Sequence, residues 1–124
     1  MIIGIKSGST YRFNRRLLRR KIERFLKRIG LDNVEVSLNF VGQRKMRQLN
    51  RQFRNWDKVS NILSFSQQEP HSPEGILLLG DVVICYPKAQ EEAIIYQKTI
   101  DKAIWDLVKH GLNCLIEDDK FKTV

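Results

Sequence analysis

Val34-Glu35-Val36-Ser37-Leu38-Asn39-Phe40-Val41 alternates apolar and polar side chains. A period of two puts Val34, Val36, Leu38 and Phe40 on one face and Glu35, Ser37 and Asn39 on the other, the pattern of a half-buried strand. Gly42 breaks it. The flanking segments have a different period. Upstream, Leu17, Leu18, Ile22, Phe25, Leu26 and Ile29 recur three and four apart, which predicts a helix over residues 15–29. Asn14 is placed to cap that helix and Gly30 to end it. Downstream, Met46, Leu49 and Phe53 predict a second helix over residues 43–53. A strand set between two amphipathic helices belongs to an α/β or α+β chain.

The remaining segments extend the pattern. Residues 1–5 alternate weakly and suit an edge strand, and residues 61–65 a short one. Residues 76–85 form an apolar run interrupted by Gly80-Asp81, which predicts a central strand with a kink or bulge at the glycine. Pro87 sits where a helix can start, and the helix continues over 88–96. Thr99 is the cap of a last helix over 100–115, followed by a polar tail. The expectation is one α+β domain over residues 1–124: a mixed sheet of about four strands with helices packed around it. No apolar run reaches the ~18–20 residues of a membrane span. The amino terminus lacks the basic, then apolar, order of a signal peptide. The chain therefore reads as a cytoplasmic monomer with no membrane segment, its Cys85 and Cys114 reduced.

Charge is uneven. Residues 1–54 hold fifteen Lys/Arg against three acids, net +12, and residues 55–124 hold seven against eleven, net −4, which sum to the chain's +8. A basic half rich in arginine, whose planar fork suits phosphate, favours a nucleic-acid partner over an anionic membrane. The arginines in the first turn of the 15–29 helix, Arg15 and Arg16, oppose its dipole by a few tenths of a kcal/mol each. Arg15 and Arg19 are candidate RNA contacts on that helix.

Three groups of residues could carry chemistry. His110 and Cys114 stand four apart, one turn along a helix, and both residue types bind zinc. On a helical wheel Cys114 falls in the apolar arc and His110 on its margin, so the competing role is a small core residue beside a boundary histidine. His71, in a loop, and the run Glu117-Asp118-Asp119 are the other nearby candidates for a metal ligand. Arg54, ahead of a loop with Trp56 and Asp57, could bind phosphate while the indole stacks on a base. The competing arrangement is an Arg54–Asp57 surface pair with Trp56 packed on the core. Asn61 and Ser64 could hold loop backbone. Asp81, inside an apolar strand, would need a partner if buried; it could orient a metal-binding histidine or cap a turn.

Taken together, these residues resemble the YbeY family of bacterial endoribonucleases that mature ribosomal RNA. Three blocks carry the likeness in order. The first is Leu49-Asn50-Arg51-Gln52-Phe53-Arg54 with Asp57 and Ser60-Asn61-Ile62-Leu63-Ser64-Phe65. The second is Leu79-Gly80-Asp81-Val82-Val83-Ile84-Cys85. The third, Val108-Lys109-His110-Gly111-Leu112, resembles the opening of the family's zinc motif. The resemblance implies a metal-dependent, single-strand-specific endoribonuclease in ribosomal RNA maturation, with the small ribosomal subunit as partner. It implies Arg54 as the functional arginine, His110 as the first zinc ligand and a zinc site fed by the last long helix. The family's further histidines, four and ten residues on, are Cys114 and Lys120 here, so Asp118, Asp119 or a small molecule from solution would have to complete the site. The alternative is an rRNA-binding module that lacks a complete zinc site and does not cut. A zinc peptidase fits less well, because Gly111 stands where H-E-x-x-H has its general base.

Overall fold

The computed structural model describes residues 1–67 and 71–117. The elements follow in the order β1 (Ile2–Lys6), α1 (Arg15–Arg28), β2 (Val34–Val41), α2 (Gln43–Arg54), β3 (Ile62–Ser66), β4 (Leu77–Cys85), α3 (Tyr86–Ile95) and α4 (Ile100–Ile116). The four strands form one mixed sheet in the order β1-β2-β4-β3. β1 runs parallel to β2 and β2 parallel to β4, while β3 is antiparallel to β4. The expected single α+β domain is the fold observed. β1 and β3 are the two edges.

The alternation of β2 has a direct consequence. Val34, Val36, Leu38 and Phe40 join Leu18, Ile22 and Leu26 of α1 and Ile104, Leu107, Val108, Leu112 and Leu115 of α4 in the main core. Each such side chain, fully buried, contributes about 1.5–3 kcal/mol of transfer free energy. α2 covers the opposite face with a smaller cluster of Val41, Met46, Leu63, Val83 and Cys85. The sheet therefore lies between α2 on one side and α1, α3 and α4 on the other.

Local chemistry sets the helix ends. Asn14 Oδ1 accepts from the Leu17 N–H at 3.0 Å, as its position predicts. Gly30 follows the last turn of α1 at φ +84°, a conformation that favours glycine. No acid stands in the first turn of α1. The compensating carboxylate comes from another element: the Asn14 N–H donates to Asp101 Oδ1 at 2.8 Å. This brings a negative charge to the positive end of the helix dipole, beside Arg15 and Arg16. α3 begins at Tyr86, one residue before Pro87, which occupies its first turn as expected.

β4 carries the expected bulge. Glu35 pairs with Leu78 and Val36 with Gly80, so Leu79 is one residue too many. The extra residue resets the alternation. Leu79 and Val82, three apart, both enter the main core, while Val83 and Cys85 face α2. Gly80 has φ +131°, and a β-carbon there would lie 2.1 Å from the Phe65 carbonyl oxygen of β3. Glycine is required on both counts. Replacing Gly80 by alanine should destabilise the fold by at least about 2–3 kcal/mol, read as a lower urea midpoint with an unchanged m-value; an unaltered midpoint would contradict this geometry.

Candidate nucleic-acid interface

β3 is an edge strand, and the layers on either side of it end near that edge. α2 delivers Phe53 and Arg54 from one face and α4 delivers His110 and Cys114 from the other. With Ile62, Leu63, Ser64 and Phe65 of β3 they line one open cleft of about 590 Å³. Residues far apart in the chain meet here because the sheet is only one strand wide beyond β4. An edge strand also leaves alternate backbone N–H and C=O groups without a strand partner.

The Arg54 side of the cleft is built by the end of α2. Asn55 closes that helix in the left-handed conformation, φ 52°, and turns the chain back. Asn50, fully buried, then ties down the returning loop. Its Nδ2 donates to the Lys58 carbonyl at 2.8 Å and to Ser60 Oγ at 3.1 Å, and its backbone carbonyl accepts from the Trp56 N–H at 3.1 Å. The loop is thus held at three points by one residue, and Trp56 is placed by it. The Arg54 guanidinium lies over the Trp56 ring, 4.8 Å from its centroid. Trp56 is 37% exposed, so it is not the core residue of the competing arrangement. Nor is there an Arg54–Asp57 pair. Asp57 accepts from Arg47 Nε at 2.7 Å and Nη2 at 3.1 Å and pairs with Arg51 at 2.7 Å. The hydrogen bond from Arg47 is the main cause that holds the Asp57 carboxyl below the usual carboxylate range. Arg54 has no ion-pair partner among the described residues, and its charge is available to a ligand. Phe53, read as part of the apolar stripe of α2, is instead 57% exposed and packs edge-on against Phe65 at the cleft, ring centroids 5.1 Å apart.

The other side is built by the approach of α4 to the sheet. A β-carbon on Gly111 would lie 2.7 Å from Ile62 Cδ1 and 2.8 Å from Val82 Cγ1. The Ser64 hydroxyl donates to the Gly111 carbonyl at 3.3 Å. Glycine thus lets the helix backbone settle on β3, and the serine holds it there. His110, the preceding residue, is carried to the rim. Cys114 is exposed, which corrects the expectation of a core cysteine: the apolar arc of α4 narrows toward its end, and β3, being the edge, does not reach far enough to cover that position. His110 Nε2 and Cys114 Sγ are 3.7 Å apart. Two ligands of one tetrahedral zinc stand about 3.6 Å apart at ordinary Zn–N and Zn–S lengths. The pair fits half of a zinc shell. Among the described residues no group of three His, Cys, Asp or Glu side chains is placed to hold a metal ion. Asp118, Asp119 and Lys120 lie outside the described residues. His71 makes an isolated bridge to Leu77.

Other candidates fall elsewhere. Asp81 is exposed and, after the bulge, shares the parity of Val83 and Cys85, the face covered by α2. It needs no buried partner and is on the wrong side of the sheet to orient His110. Asn61 Nδ2 donates to Glu92 of α3, and its carbonyl accepts from the Cys85 N–H, so it joins strand to helix rather than loop to loop. Arg15 and Arg19 do not line the cleft; Arg15 donates to Ser7 and lies over Phe13, 4.7 Å from its centroid. Asn50 was missed as a positioning residue. The available signal was a polar residue at a helix position, one after Leu49, where the core face of α2 turns inward. Cys85 is buried, and burial raises its thiol above the ordinary value.

The comparisons with known proteins agree with this fold. The family model described as Endoribonuclease YbeY matches residues 6–117. The chain belongs to the YbeY family. It is 34% identical over 96 residues to Endoribonuclease YbeY of Oceanobacillus iheyensis, covering 72% of this chain and 62% of that one. It is 36% identical over 94 residues to Endoribonuclease YbeY of Finegoldia magna, covering 76% and 61%. The matched part is thus under two thirds of these relatives' length. The solution structure of TM1509 from Thermotoga maritima shares the fold, with a TM-score of 0.66 at 24% identity over 94% of this chain and 77% of that one.

Two substitutions test the construction of the cleft. Gly111→Ala should force α4 away from β3 and cost about 1–3 kcal/mol, with a chemical-shift change at His110 larger than at Trp105. Asn50→Ala should cost about 1–3 kcal/mol by leaving the Lys58 carbonyl and Ser60 hydroxyl without their donor, and should raise hydrogen exchange in residues 55–60 more than in α4.

Proposed function

We propose that this chain is an endoribonuclease that cuts single-stranded RNA in ribosomal RNA maturation, as a cytoplasmic monomer working on the small ribosomal subunit. The observation that carries the reading is the shared cleft: a free guanidinium stacked on an exposed indole faces an imidazole–thiol pair across an edge strand. The family to which the chain belongs supports the activity, since its relatives bear that name.

The cleft suits a single strand. It is open along β3, and base faces can stack on Trp56 or Phe53 while Arg54 pairs with the phosphate between them. As a phosphate oxygen gains charge during attack, a guanidinium already in place stabilises it more than it stabilises the ground state. His110 lies at the opposite side of the same cleft. His110 and Cys114 would be two ligands of a zinc ion, which when bound supplies an activated water or polarises the phosphate.

A second reading is an RNA-binding module of the same surface that does not cut. What favours it is that Cys114 and Lys120 stand where the family's further zinc histidines are expected. The two readings share Arg54 and separate on the metal. Arg54→Ala should lower cleavage of a single-stranded oligonucleotide by about 100-fold or more, with zinc measured near one per chain. Zinc well below one per chain, no cleavage, and RNA affinity that still depends on Arg54 would establish the binding module. Affinity and cleavage both indifferent to Arg54 would reject both readings.

A further inference from the structure

The basic residues of α1 are on the far side of α4 from the cleft, and they form a feature of their own. α1 and α4 lie side by side with their amino termini together, as the Asn14–Asp101 bond shows. Between them runs a groove of about 270 Å³ lined by Lys21, Arg24, Phe25 and Arg28 of α1 and Trp105 and Lys109 of α4. Its floor is aromatic: Phe25 and Trp105 meet edge to face at 6.0 Å. Lys21 Nζ lies 5.9 Å from the centroid of the Trp105 ring. None of the four cations is in an ion pair among the described residues, and no acid lines the groove.

We infer that this groove is a second RNA-backbone site, which takes phosphates and one base of a strand that continues past the cleft. Four unpaired cations over an aromatic floor match a single strand, whose phosphates need the charge and whose bases need a ring. An anionic bilayer fits less well, because both rings are half-buried against each other and neither projects as a membrane-inserting residue does. Continuity with the cleft follows from the helix. Lys109 in the groove and His110 in the cleft are consecutive on α4, on adjacent flanks of it. A helix is about 10–12 Å across with its side chains, so a single strand a few nucleotides long reaches from one flank to the other. The inference takes from the proposed function only that the cleft holds a single strand.

The test is fluorescence anisotropy of labelled single-stranded RNA, a 5-mer and a 20-mer, in EDTA so that no metal-dependent cleavage occurs. The variant carries Lys21→Gln, Arg24→Gln, Arg28→Gln and Lys109→Gln; circular dichroism and a thermal melt establish that it folds. Each phosphate contact contributes about −0.7 to the slope of log affinity against log salt for a single strand. Between 50 and 200 mM salt the parent should therefore lose about 50-fold more affinity for the 20-mer than the variant does. The 5-mer, spanned by the cleft, should bind both alike. In a Trp56→Phe chain, where Trp105 is the remaining tryptophan, the 20-mer should quench fluorescence and the 5-mer should not. Equal salt slopes for parent and variant on the 20-mer would overturn the inference. So would an equal change on both oligonucleotides, or loss of binding to phosphatidylglycerol vesicles with RNA affinity kept. If Arg54→Gln affects neither oligonucleotide while the four-charge variant still loses the 20-mer, the cleft reading falls and the groove stands.

Discussion

The contact between α4 and the edge of the sheet at Gly111 is the constraint on which the candidate site depends. A helix backbone can approach β3 and β4 this closely only where no β-carbon intervenes. Ser64 adds a hydrogen bond at the same point. Because Gly111 is fixed, its predecessor His110 is fixed too, and Cys114 one turn on follows. A larger residue at 111 would move both ligand candidates without touching either.

The sheet contributes a second constraint, at Gly80. The bulge there changes which side chains of β4 face α4 and which face α2. Leu79 and Val82 thereby pack under α4, and Asp81 is sent to the other side. Gly80 also brings the Phe65 carbonyl of β3 into contact with β4, which no other residue type would permit. The edge strand that floors the cleft is thus held on β4 by one glycine and under α4 by another. Both glycines act through space they leave open rather than through contacts they make.

Charge is distributed in keeping with this division. Two acids from the second half of the chain are used on the basic half: Asp57 holds Arg47 and Arg51, and Asp101 meets the amino end of α1. Arg54, Lys21, Arg24, Arg28 and Lys109 are left without ion pairs among the described residues. Exposed ion pairs of the Asp57 kind contribute little to stability. Their effect here is on arrangement, since they engage Arg47 and Arg51 of α2 and leave Arg54, at its end, to lie on Trp56.

Period, apolar runs and the breaker and cap residues between them placed every helix and strand to within about two residues, because each element buries a face and burial imposes its repeat on the chain. The bulge at Gly80 and the caps at Asn14 and Thr99 were equally legible, since each is a local demand of the backbone. The motif blocks were sufficient to recognise the family. What they did not contain was the partner of each side chain. Asp57 could be read beside Arg54, but its arginines are one and two turns back along α2. Cys114 fell in an apolar arc on the wheel and yet is exposed, since exposure depends on where the sheet ends and not on the helix. Arg15 and Arg19 were grouped with Arg54 by charge, although α4 stands between them. Local interactions govern which segments form and which faces they bury; which faces meet, and which side chains share a cleft, depends on strand order and helix placement, quantities that involve residues fifty or more positions apart.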